Sequence, residues 1–303
     1  NDWIDKRFPM GEKPSMDYDK PCRIQLITTD NLYLDEKEAN HFAEQMKVSG
    51  ADQYAARVLG YSPAMVRRVL KEYDPVFNVL PSKKLHGATT YFAIDPHPAK
   101  GEAMGWLQVL EPRPGFPPAK VLVCDYFDME HFNTYGKLVD LIKEMEAKYD
   151  LKPILRACDQ RFAQALNKET GNNFLYEFQK AASAKEYPMS LVPAKAGAIE
   201  DGNNHIRRML ANTTYEWDGE DWAECREFRI MENCKTTLQA MYKYSYDRGM
   251  KKVENNQYKD PIDVLRYLFS LPLGWRQPEV DKLLQTDDSY EEKDSRIIPY
   301  TAL

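Results

Sequence analysis

Three aspartates in this sequence stand where an apolar run ends or a helix begins. Asp95 closes YFAID, Asp159 closes KPILRACD, and Asp260 opens DPIDVLRYLF, with Asp263 three residues further on. Carboxylates brought together repel one another unless cations neutralise them, so such a cluster implies divalent metal. Two ions about 4 Å apart would activate a water and stabilise the leaving oxygen of a phosphodiester. Each aspartate also has an ordinary explanation. Asp95 fits a strand end in water, and Asp159 fits a cap on the helix QRFAQALNKE. Asp260 before Pro261 is a good helix start, where Asp263 favours the dipole of the first turn. The chemical reading therefore depends on whether the chain brings these acids to one place.

The elements around them predict that it does. Apolar runs at 91–94, 104–110 and 120–127 are short and close together, which predicts three antiparallel strands in a meander. Leu138, Leu141, Ile142 and Met145 fall at helical spacing in FNTYGKLVDLIKEMEAKY, and KPILRACD follows as a buried strand. A right-handed crossover returns that fourth strand parallel to an earlier one. If it lands beside the first strand, Asp95 and Asp159 end side by side. This order matches the ribonuclease H type of α/β fold, a mixed sheet of three antiparallel strands plus parallel strands with flanking helices. A helix at QRFAQALNKE, a strand at MSLVPA and helices at EDGNNHIRRMLA, ENCKTTLQAMYKYSY and PIDVLRYLFSL complete the reading. Upstream, RIQLIT reads as a strand. Phe42, Met46, Tyr54 and Val58 mark a helical face stopped at Gly60, PAMVRRVLKEY reads as a second short helix, and 74–90 as a connector.

Composition sets the outer bounds. The 303 residues are 43% hydrophobic and 29% charged, enough apolar content for a packed core. No apolar run is long enough to span a membrane. The five cysteines include no C-x-x-C, and Cys124 and Cys158 end apolar runs as buried small hydrophobes do, which fits a reducing compartment. The chain opens NDWIDKRF without an initiator Met or a signal segment, as a trimmed piece of something longer would. The net charge of −6 supplies no positive argument for a nucleic-acid partner, although the tail DDSYEEKD is itself a large part of it. No phosphate-binding G-x-x-x-x-G-K-[ST] occurs, and GEKPS at 11–15 does not qualify, so an ATP site is absent from this chain.

Several stretches together carry a resemblance. TTDNLYLDEKEA followed by AARVLGYSP, then FAIDPHPAKGEAMGWLQV, then LVPAKAGAIEDGNNHIRRML, and finally KDPIDVLRYL, are similar in order and spacing to the C-terminal nuclease region of the tailed-bacteriophage terminase large subunit. The last is the most specific, D-x-x-D followed by L-R-Y. The resemblance implies a metal-dependent endonuclease that cuts concatemeric double-stranded DNA during packaging. It implies a host-cytoplasmic site at the procapsid portal, with the portal protein, the small terminase subunit and the procapsid as partners. By position, Asp95, Asp159 and Asp260 would hold two Mg²⁺ or Mn²⁺ ions, with Asp263 an auxiliary ligand or a structural acid. Lys259 departs from the pattern, standing where many relatives have a second Asp.

Lys195 in VPAKAG matches a family lysine and is a candidate for phosphate contact or for damping carboxylate repulsion, with an exposed loop lysine the plain alternative. His97, two residues past Asp95, is a candidate accessory base or substrate contact, though a lone loop histidine is more often neither. Asp125 and Asp128 are placed to cap the next helix. Arg207, Arg208, Arg248, Lys251 and Lys252 could track a DNA backbone, or simply form a solvated face. The implied organisation is the end of an ATPase domain and a linker at 1–85, a nuclease domain at 86–275 and an acidic tail at 276–303. Two other readings stay open. One is a non-catalytic module that docks DNA or portal, and the other a resolvase- or transposase-type nuclease of the same fold.

Overall fold

The computed structural model describes residues 35–49, 67–96, 102–127, 134–166, 170–247 and 252–277. Among them, a seven-stranded sheet runs β1(Val79–Leu80), β9(Phe228–Met231), β4(Lys120–Phe127), β3(Ala103–Val109), β2(Thr89–Asp95), β5(Pro153–Asp159), β6(Val192–Ala194) in spatial order. β2, β3 and β4 form the predicted antiparallel meander, and every other neighbouring pair is parallel. TTYFAID and AMGWLQV are apolar almost without interruption because both faces are covered, and every residue of β3 is buried.

One face is covered by α3(Tyr135–Lys148) and α5(Phe174–Ala184). α3 is capped by Thr134, which accepts from the Lys137 N–H, and it turns Leu138, Val139 and Ile142 inward. The same face holds a buried polar knot in which Glu146 accepts from the Arg156 guanidinium at 2.8 Å, the Tyr187 hydroxyl at 2.5 Å and the Trp106 indole at 3.2 Å. The other face carries α6(Ile199–Ala211), α7(Lys235–Lys243) and α8(Lys259–Phe269). α8 is buried from Pro261 to Leu268, since α6 and α7 cover the sides that the sheet does not. Gly105 on β3 makes this close approach feasible, as a Cβ there would stand 3.0 Å from Val264 Cγ1.

The crossover through α3 places β5 beside β2 and parallel to it, as the element order predicts. Elsewhere the structure corrects the reading. Residues 67–73 of PAMVRRVLKEY are not helical: the Val69 N–H donates to the Tyr244 carbonyl and the Tyr246 N–H to the Arg67 carbonyl, so this stretch pairs with a distant strand-like segment instead. The connector 74–90 contains the short helix α2(Pro75–Asn78) and β1, which joins the sheet through β9. Among the described residues of QRFAQALNKE the helix is α4(Gln160–Gln164) alone, and MSLVPA yields only the three residues of β6. α5, β9 and the hairpin of β7(Thr213–Trp217) with β8(Trp222–Arg226) were not anticipated. α1(Glu36–Ser49) matches the first part of the upstream helix, while RIQLIT, Tyr54, Val58 and Gly60 lie outside the described residues. Among the described residues no helix is long and apolar enough to cross a membrane.

Candidate metal centre

The register of β2 on β5 decides where two of the aspartates sit. Ile94 pairs with Cys158, so Asp95 and Asp159 follow at the same level of the sheet edge. Side chains alternate along a strand, and both carboxylates fall on the α8 face. On β2 the hydroxyl of Tyr91 meets the Gly274 carbonyl beyond α8, which fixes the odd-numbered positions on that face. On β5 Arg156 reaches Glu146 on the opposite face, leaving Asp159 on the α8 side. α8 then brings Asp260 in its first turn and Asp263 one turn on.

The electrostatics register this gathering at Asp95. Its carboxyl is pushed up to about 8, first by burial and then by the charges of Asp263, Asp260 and Asp159, with Lys259 acting in the opposite sense. The Tyr267 hydroxyl donates to Asp95 Oδ1 at 3.4 Å. Burial and then the charges of Asp95, Asp263 and Asp159 push the Tyr267 phenol far up as well, so it stays a proton donor.

Asp263 is 2% exposed and held at both oxygens. Oδ1 accepts from Arg266 Nη1 at 2.5 Å, and Oδ2 pairs with Lys259 Nζ. Arg266 also donates to the Gly197 carbonyl at 3.3 Å. It passes over Gly202, where a Cβ would lie 2.5 Å from its Nε. α8 begins at Lys259 rather than at Pro261, and its N-cap position is Tyr258 with no side-chain cap, so Asp260 sits inside the first turn instead of capping it. Asp159 does cap α4, accepting from the Arg161 N–H at 3.1 Å. Among the described residues no three His, Cys, Asp or Glu side chains are grouped as a ready-made metal cage. The donor set nevertheless suits a hard divalent cation. Asp95, Asp159 and Asp260 offer carboxylate oxygens, and their mutual repulsion is what a cation relieves.

The remaining candidates scatter. Lys195 is exposed one residue past Ala194, the ladder partner of Asp159, and so lies at the same sheet edge. Arg207 is committed to Glu72 through a two-pronged pair at 2.8–3.0 Å, and Arg208 contacts His205 Nδ1 at 2.7 Å. Lys252 is exposed, and His97, Asp128, Arg248 and Lys251 lie outside the described residues. Asp125 does not cap the helix that follows it. It accepts from the Thr237 N–H at the start of α7, and Thr134 caps α3 instead. Sequence reasoning missed Tyr267, Arg266 and Gly202. The spacing of Lys259, Asp263 and Arg266 at i, i+4 and i+7 was a visible signal for one of these contacts.

No protein-family model matches the sequence, and no curated protein matches it. Solved structures do. The large terminase of a thermophilic bacteriophage matches with a TM-score of 0.50 and 16% identity, covering 81% of this chain and 54% of its own. The complex of that terminase with ADP matches equally, at 15% identity. The nuclease domain of the P22 large terminase matches over 67% of this chain and 91% of its own, at a TM-score of 0.48 and 15% identity. This chain thus spans about half the length of the thermophilic phage protein. At such identities the likeness is one of fold: over the matched half of that terminase the chain shares its fold, with a ribonuclease H-like mixed sheet.

Proposed function

We propose that this chain is the nuclease part of a phage DNA-packaging motor, a metal-dependent endonuclease that hydrolyses phosphodiester bonds of concatemeric double-stranded DNA. The observation that carries the reading is Asp95, a carboxylate at the end of a central strand on which the charges of Asp159, Asp260 and Asp263 converge. Asp95, Asp159 and Asp260 would hold the Mg²⁺ or Mn²⁺. A divalent ion bound there supplies a more acidic water and a counter-charge for the scissile phosphate. The chain's own part is positional. β2 and β5 fix two carboxylates at one level, and α8 fixes the third. Tyr267 holds Asp95 by its hydroxyl, and Arg266 with Lys259 locks the helix turn behind them. Lys195, at the same edge, would meet a DNA phosphate, and Arg208 with Lys252 would extend the track. Arg207, paired with Glu72, contributes least. The portal, the small terminase subunit and the procapsid would be partners in the host cytoplasm. The test is plasmid nicking in Mn²⁺ by the chain and by its Asp95→Ala variant. Nicking by the wild type that the variant loses supports the reading, and equal nicking by both overturns the site.

A second reading has specific support in Asp159, which serves as a helix cap, and Asp263, which serves as an ion-pair partner. In that reading the chain docks DNA or portal without cutting. A thermal melt separates the two, because a ligand that binds only the folded state raises the melting temperature. No shift at millimolar Mn²⁺ would favour docking.

A further inference from the structure

A cavity of about 420 Å³ opens at the end of the sheet opposite Asp95, where α3 finishes at Lys148 and Tyr149. Gln108 marks its level. It pairs with Thr90 near the start of β2, about 17 Å along the strand from Asp95 at about 3.3 Å per residue. Its side chain lies on the α3 face, because Trp106, two residues earlier on β3, reaches Glu146 of α3. The cavity falls within the roughly 300–1,000 Å³ of small-molecule sites. Leu85, Val123, Leu151 and Met231 give it an apolar floor.

Two kinds of polar group meet this floor. Gln108 is 8% exposed, and its Nε2 donates to Thr90 Oγ1 at 3.2 Å, which leaves the other side of the amide without a partner among the described residues. A buried amide so placed suits the donor–acceptor edge of a nucleobase. Lys83, Lys84 and Lys148 stand around the same cavity. Lys84 is answered by Asp150 at 2.6 Å. Lys83 and Lys148 are in no ion pair among the described residues, and Glu216, the acid that feels Lys83, is bound to Arg229. Lys148 holds its ammonium 5.2 Å from the centre of the Tyr149 ring, so positive charge and an aromatic surface are presented together. A simple anion would leave the apolar floor and Gln108 unused, and an apolar molecule would leave the lysines unused. We propose that this cavity binds a nucleotide unit, its base against the floor and Gln108 and its phosphate on Lys83 and Lys148. A free nucleotide and a nucleotide of a DNA strand share this chemistry. The site lies apart from the aspartates and does not rest on the nuclease reading.

The experiment is a calorimetric titration of the full chain with ADP, with a short single-stranded oligodeoxynucleotide and with pyrophosphate. Chelator is present throughout, so that no metal at the aspartates holds a phosphate. Saturable binding of ADP or of the oligonucleotide, at least tenfold tighter than that of pyrophosphate, is the expected result, and which of the two binds identifies the source of the nucleotide. The double variant Lys83→Ala, Lys148→Ala changes only exposed positions and should weaken that binding at least tenfold. Gln108→Leu should weaken ADP or the oligonucleotide and leave pyrophosphate unchanged. Pyrophosphate bound as tightly as either would reveal a plain anion patch and overturn the proposal, as would no saturable binding of ADP or oligonucleotide at millimolar concentration. Nucleotide binding undiminished in the double lysine variant would overturn the assignment to this cavity, even if Gln108→Leu failed to fold.

Discussion

Asp95→Asn should make the metal-free protein more stable at alkaline pH, although it removes a proposed ligand. The Asp95 carboxyl sits at about 8 against an ordinary 3.8, raised by burial and by its acidic neighbours. A raised carboxyl holds its proton better in the folded state than in the unfolded one. Its contribution is therefore fully present below pH about 4 and is lost as pH rises through about 8. Four pH units at about 1.4 kcal/mol each give an upper bound of about 6 kcal/mol. Rotamer relaxation and water entry at a sheet edge reduce such penalties, so about 2 kcal/mol is expected in practice. For a chain of this size that corresponds to a difference in melting temperature of about 4 °C or more. Asparagine keeps the shape and still offers an oxygen to the Tyr267 hydroxyl, so little else changes. The assay is a series of melts in chelator from pH 5 to pH 9 for both proteins. The variant should lead at pH 9, and the gap should close towards pH 5. With millimolar Mn²⁺ the order should reverse, because only the wild type gains from the ion. A variant that melts lower than the wild type at pH 9 in chelator, or two curves that run parallel across the range, would refute the reasoning.

Three other substitutions test the supports of the site and the sheet. Gly202→Ala puts a Cβ 2.5 Å from Arg266 Nε and should cost about 1–3 kcal/mol by displacing the guanidinium from Asp263, read as a lower urea midpoint. Glu146→Gln leaves the half-buried Arg156 guanidinium without its counter-charge and should cost about 2 kcal/mol, measured the same way. Asn78→Ala removes a fully buried amide that donates to the Leu210 and Phe228 carbonyls and accepts from the Asp74 N–H. With three backbone groups stripped of partners, a loss of about 3 kcal/mol is expected in thermal melts, with any metal-induced shift unchanged.

What could be read from the sequence was what burial writes into it. β2, β3 and β4 are covered on both faces, so they appear as uninterrupted apolar runs, and the crossover rule then supplies the neighbour of β2. β7 and β8 left no such trace. TTYEW and WAECR pack one face against the sheet, where Glu216 meets Arg229, while Trp217 is 53% exposed, so the apolar and polar residues mix. β6 is only three residues long and gains its pairing from β5, not from its own pattern. α5 was different, since Phe174, Phe178 and Ala182 at helical spacing behind the Asn173 cap carry the signal plainly. The mispredicted helix at 67–73 shows the opposite case: a helical-looking apolar spacing overridden by pairing with residues 244–246, far along the chain.

The candidate site divides along the same line. That Asp95 and Asp159 should be neighbours followed from two strands and one crossover, each written in local pattern. How the carboxylates are balanced did not, because balance depends on which cation each acid meets, and that is settled by side-chain packing around α8. Asp263 illustrates the difference. As a letter in DPIDVLRY it is interchangeable with Asp260, three residues away. In the fold it is 2% exposed and clasped by Arg266, whose path exists only because Gly202 on α6 has no side chain. In the proposed site the two aspartates of one helix turn would thus divide their work: Asp263 would anchor the turn, and the anchored turn would present Asp260 towards β2 and β5. A substitution at Asp263 should therefore act through the position of Asp260, lowering Mn²⁺ affinity without changing the number of ions bound, whereas a substitution at Asp260 should abolish uptake. If Asp263→Asn and Asp260→Asn, each folded, gave the same loss of Mn²⁺ uptake in calorimetry, that division of roles would be wrong.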